Sequence, residues 1–86
     1  MIPIIDIIEK HTSNNKEIYV PEKYIGHECV VMYKDNVTIE NGKITNIKNP
    51  NEGFIKLIRP SLSAGRFGIP ITYTNTDVVV LIRDLY

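Results

Sequence analysis

The stretch Asp77-Val78-Val79-Val80-Leu81-Ile82-Arg83 places five consecutive apolar residues between charges. Four of the five are β-branched, so the run reads as a strand. A strand this apolar on an open sheet edge would template pairing with other chains. Asp77, Arg83 and Asp84 flank it as charged gatekeepers. Closing a small sheet into a barrel removes the exposed edge altogether.

Working outward from this run, further strands are read at Glu17–Val20, Glu28–Tyr33, Val37–Ile39, Lys43–Ile47, Phe54–Ile58 and Ile69–Tyr73. Pro21 stops the first of them. Lys34-Asp35-Asn36 and Asn41-Gly42 are turn signals, the second the sharper because both residues tolerate positive φ. Asn49 to Gly53, Pro60 to Gly68 and Thr74 to Asp77 read as loops. Short strands at this even spacing predict an antiparallel sandwich or barrel. For 86 residues, a small closed antiparallel β-barrel is the economical form. It would occupy residues 16–86. Residues 1–15 are set apart as a helix-like segment and loop. Pro3 suits a first helical turn, Ile4, Ile5 and Ile8 share a helical face, and the charges run acidic to basic. Five isoleucines in the seven positions Ile2–Ile8 suit a strand equally well. The expectation is nevertheless a short N-terminal helix.

Composition narrows the function. A chain of 86 residues with 43% apolar and 23% charged side chains fits one small domain. The single Cys29 leaves no disulfide framework and fits a reducing, cytoplasmic setting. No apolar run approaches the ~20 residues of a membrane span, and the start lacks a basic, cleavable leader, so no membrane partner is expected. No phosphate-binding glycine loop or nucleophile elbow is present. His27 and Cys29 would share a strand face, too few ligands for a closed metal site. The sequence therefore points away from an enzyme, with no catalytic residue, metal or cofactor assigned.

Net charge is zero, but it is unevenly spread. Residues 1–42 carry four lysines against seven carboxylates, a net −3, whereas residues 43–73 carry five cations against Glu52 alone, a net +4. A basic central segment is the footprint of a nucleic-acid binder. Its cations are Lys43, Lys48, Lys56, Arg59 and Arg66. They coincide with a small-residue loop in which Ser61 and Ser63 offer hydroxyls, and Gly65 and Gly68 permit close backbone approach. Phe67 could stack on a base, although a Phe beside a strand more often serves the core.

Several landmarks follow in a familiar order: Ile25-Gly26, Val30-Val31, Gly42-Lys43-Ile44, Gly53-Phe54-Ile55, then Leu62 through Phe67-Gly68 and Ile71. Over residues 24–73 this order resembles, as a divergent relative, the small β-barrel ribosomal protein of the archaeal and eukaryotic large subunit, thirty-five-A type. Lys16 to Gly26 also resembles the opening of AbrB-like DNA-binding proteins. Gly42-Lys43-Ile44 with Asp77 to Val80 is similar to Sm-like and SH3-like barrels. These resemblances imply a barrel of translation or SH3-like type with RNA or DNA as partner, touched through basic strands and the loop around Gly65. The alternative expectation is a protein-interaction or assembly module. In it, Val78–Ile82 would add to a partner's sheet, or Ile2–Ile8 would dock in a partner's groove, giving a homo-oligomer or a larger complex.

Overall fold

The computed structural model describes residues 3–85. Nine strands are found among them: β1 (Ile4–His11), β2 (Glu17–Pro21), β3 (Glu28–Tyr33), β4 (Val37–Glu40), β5 (Lys43–Ile47), β6 (Phe54–Leu57), β7 (Arg59–Ser61), β8 (Ala64–Gly68) and β9 (Asp77–Arg83). All strand pairs are antiparallel. They form a four-stranded sheet of order β1-β9-β3-β6, a three-stranded sheet of order β2-β8-β7, and the β4–β5 hairpin. The protein is mainly β, as the sequence predicts, but these strands do not close into a barrel.

The arrangement is three layers with β9 at the centre of the middle one. Val78, Val80 and Ile82 face a core shared with Ile18, Val20 and Phe67 of the three-stranded sheet. Val79 and Leu81 face a second core, closed by Val37, Ile39, Ile44 and Ile47 of the β4–β5 hairpin. The alternation of a strand sends successive side chains to opposite faces. A strand covered on both faces must therefore be apolar at every position, as Val78–Ile82 is. Its edges are also occupied, by β1 on one side and β3 on the other. The expected addition of Val78–Ile82 to a partner's sheet is thus corrected, because its main-chain groups are already paired.

The expected N-terminal helix is also corrected. Residues Ile4–His11 are a strand running the length of β9, with a register shift between Ile4 and Asp6. The physical reason lies in Ile7 and Ile8. Consecutive isoleucines in a strand serve opposite faces, and here Ile7 packs on the hairpin core while Ile8 packs on the other. Ile2 lies outside the described residues. The segment Ile69–Tyr73, expected as a strand, leaves the sheet instead. Pro70 cannot donate to a ladder, and a single 3-10 turn follows at Ile71–Tyr73. Tyr73 anchors that turn by stacking on Tyr33, with ring centroids 4.3 Å apart. Its hydroxyl donates to Glu52, and burial followed by that bond pushes its phenol well above the ordinary range.

Buried polar groups are few and bonded. The Thr12 hydroxyl donates to the Tyr73 carbonyl at 2.6 Å. The Asn36 amide meets both backbone groups of Asn49, at 2.9 and 2.8 Å. These bonds close the loops on either side of β9 without leaving an unpaired buried atom among the described side chains.

If β9 holds both cores, truncating either of its faces should cost similarly. Ile82→Ala and Leu81→Ala are each expected to destabilise by about 2–5 kcal/mol. Ile55→Ala, at a side chain 56% exposed, is expected to cost about 1 kcal/mol or less. Urea-unfolding midpoints of the three variants check this.

Candidate nucleic-acid interface

The chain changes sheets between β6 and β7. Ile58, only 1% exposed, is the corner residue, and its amide and carbonyl bond to His27 and Gly26. The stretch after it, expected as an open loop, is a hairpin: β7, the two-residue tip Leu62-Ser63, and β8. Ala64 to Gly68 alternate about the sheet. Gly65 and Phe67 face inward, and Ala64, Arg66 and Gly68 face solvent.

This alternation separates the expected site residues. Gly65 is buried, and a Cβ there would stand 2.6 Å from Ile58 Cγ2 and 3.1 Å from Val20 Cγ2. Its lack of a side chain serves the corner at Ile58, not a ligand. Phe67, 3% exposed, belongs to the core. Gly68 is exposed, with space for a Cβ 3.7 Å from the Lys16 carbonyl. Ser61 is half-buried on β7, and Ser63 is exposed at the hairpin tip.

The five cations do not form one surface. Arg59 and Arg66 lie on the three-stranded layer. Lys43 lies on β5 and Lys48 just beyond it, on the opposite outer layer. Lys56 sits on the edge strand β6 of the middle sheet, opposite Cys29. A charge run that is continuous in sequence is distributed over three layers, because each strand pair moves the chain to another sheet.

What the structure does assemble is a row across the outer face of the three-stranded sheet. Tyr19 of β2 stands directly opposite Arg66 of β8, and Arg66 directly opposite Arg59 of β7. Tyr19 is 44% exposed, and both arginines are exposed. Their neighbours on this face are Pro21, Ala64, Ser61 and Gly68, all short or compact, and Glu17, whose carboxylate accepts from the Tyr19 hydroxyl at 3.2 Å. Apart from Glu17, the surface from which the three long side chains rise is low. Arg66 is bonded to Glu17 at 2.9 Å, an exposed pair of small energetic weight. Arg59 makes no ion pair among the described residues. Like charges directly opposite on a sheet are unfavourable, so an anion seated between the two guanidinium groups would be favoured. Sequence reasoning missed Tyr19. Its signal was available in Glu17-Ile18-Tyr19-Val20, where an inward Ile18 and Val20 turn Tyr19 to the same face as Glu17.

The His27–Cys29 pair does not form a reactive site. Cys29 is fully buried between Ile82 and Lys56 on the neighbouring strands. Burial pushes its thiol up to about 12, so it stays protonated and unreactive near neutrality. His27 Nδ1 lies 2.8 Å from the Arg83 carbonyl.

Compared with protein-family models, curated proteins and solved structures, the chain matches none.

The two glycines should separate packing from contact. Gly65→Ala is expected to destabilise by about 1–3 kcal/mol through overpacking at Ile58. Gly68→Ala, on the open face, is expected to change stability by about 0.5 kcal/mol or less. Thermal or urea unfolding of both variants checks the contrast.

Proposed function

We propose that the outer face of the β2–β8–β7 sheet binds an unpaired stretch of a structured RNA. The observation that carries this reading is the in-register row Tyr19–Arg66–Arg59 on a solvated sheet face. An exposed tyrosine offers a flat surface on which a base stacks, and guanidinium groups both stack on bases and bridge phosphates. A phosphate between Arg59 and Arg66 relieves their mutual repulsion and takes bidentate hydrogen bonds from both. Glu17 yields Arg66 to it at small cost. Ser61, beside this pair on β7, supplies a hydroxyl for a ribose or phosphate oxygen, and Gly68 leaves room for the strand to approach. The segment from Leu62 to Gly68, which resembles the ribosomal family, forms the tip and the central strand of this sheet. A cytoplasmic setting accords with the unpaired thiol of Cys29. Among the described residues, no helix is long and apolar enough to cross a membrane.

A second reading, an assembly module, is favoured by a different observation. The outer edge of β1 is unpaired among the described residues, with Ile4 and Ile5 exposed at 38% and 47%.

Fluorescence anisotropy with a labelled RNA hairpin carrying an unpaired loop tests the RNA reading. Loss of base stacking in Tyr19→Ala is expected to cost about 1–3 kcal/mol of binding. Arg59→Ala is expected to weaken binding and reduce the salt slope by about 0.7, one phosphate's worth for a single strand. Lys43→Ala/Lys48→Ala, on the far layer, should bind as the unaltered protein does. No binding at low salt, or weakening by the lysine variant alone, would sink this reading.

A further inference from the structure

We infer that β1 pairs antiparallel with β1 of a second copy, joining the two four-stranded sheets into one of eight strands centred on Ile8. The inference stands on a different sheet from the RNA-binding face and does not depend on it.

Among the described residues the outer edge of β1 is open, and its free groups can be identified. Thr12 donates its amide to the Thr76 carbonyl, in line with the β1–β9 ladder. Amides alternate in direction along a strand, so residues 6, 8 and 10 also turn theirs to β9. Ile7, Glu9 and His11 turn theirs outward. The Ile7 amide accordingly has no β9 partner, and donates instead to Asp6 Oδ1 at 2.8 Å. A carboxylate folded over an outward amide blunts an edge in the free chain.

Three constraints fix the register. A two-fold axis perpendicular to the sheet keeps each core face on its own side only if paired residue numbers sum to an even value. Pairing must also fall within the regular part of the strand, which begins at Asp6, after the register shift. Finally, opposite charges should face each other and like charges should not. Centring on Ile8 meets all three. Ile8 faces Ile8, Ile7 faces Glu9, and Asp6 faces Lys10 of the second copy, twice by symmetry. Centring on Ile7 carries the pairing through the irregularity at Ile4 and Ile5 and sets Ile4 against Lys10. Centring on Glu9 sets two glutamates face to face.

Pairing in this register gives the outward main-chain groups of Ile7 and Glu9 partners in the second copy. The Ile7 amide passes from Asp6 to the Glu9 carbonyl of the second copy. Asp6 Oδ1 is freed for the second copy's Lys10, while Oδ2 keeps its bond to the Tyr24 hydroxyl. A groove of about 550 Å3 beside this edge is lined by Ile5, Ile7, Ile39 and Ile44, with Glu9 and Lys43 of the same chain, among others. Glu9 of the second copy enters opposite Ile7, on the groove side of the sheet, while Lys34 of its own chain holds it at 2.7 Å.

Sedimentation velocity over a concentration series, with oxidative cross-linking of single-cysteine additions, tests the inference. A dimer is expected, and Lys10→Asp, which sets aspartates opposite Asp6, should raise its dissociation constant about tenfold. Residues on the axis of a non-hydrogen-bonded pair lie ~4.5 Å apart at Cα, within reach of a disulfide. Ile8→Cys should therefore cross-link to itself, whereas Ile7→Cys should not, but should cross-link when mixed with Glu9→Cys. Circular dichroism confirms that each variant is folded. A chain that stays monomeric throughout, or Ile7→Cys cross-linking as well as Ile8→Cys, overturns the inference.

Discussion

The fold depends on one constraint, the complete enclosure of β9. Val78, Val79, Val80 and Ile82 have no exposed surface, and Leu81 is 3% exposed. Burying each such side chain is worth roughly 1.5–3 kcal/mol. A chain this short has few other sources of stability. The rest of the molecule can be understood as what is needed to surround this strand: β1 and β3 at its edges, a three-stranded sheet over one face, and a hairpin over the other. The second face needs less cover, because only Val79 and Leu81 of β9 project from it.

Enclosure also sets where the surface chemistry falls. Covering both faces requires the chain to change sheets repeatedly, and each change separates residues adjacent in sequence. Lys56 and Arg59 are three residues apart, yet they end on different sheets because the chain turns the corner at Ile58. Gly65 is needed at that corner, which removes it from any binding surface. The same crossing brings Tyr19, far away in sequence, into a row with Arg66 and Arg59. The outer face of this sheet is free to carry function because its inner face already supplies the core with Ile18, Val20, Gly65 and Phe67.

Much of the local structure was legible in the residues. Glu28–Tyr33, Lys43–Ile47 and the Asn41-Gly42 turn follow from β-branched runs and positive-φ residues, and the φ values of +53° and +75° at that turn agree. Two kinds of information were not local. The Ile-rich start satisfies helical and strand periodicity alike, and only the vacant edge of β9 decides between them. The Pro60–Gly68 stretch lacks a hairpin dipeptide at its tip. Leu62 takes φ +24° there, a conformation the sequence gives no reason to expect of leucine. The apolar run at Val78–Ile82 would be a hazard on an open edge and so argues for a closed barrel, whereas burial on two faces explains the same composition without one. Of the candidate site, Arg59, Ser61, Arg66 and Gly68 come together. Lys43 and Lys48 lie across the molecule, because net charge along a chain carries no information about layer.

Native-state hydrogen exchange of individual backbone amides addresses the enclosure of β9 most directly. If β9 is the strand around which the others assemble, its amides from Val78 to Ile82 exchange slowest of all, and only through global unfolding. Faster exchange in β9 than in the β2–β8 ladder would contradict this account. It would mean that the outer sheet persists while the supposed centre opens.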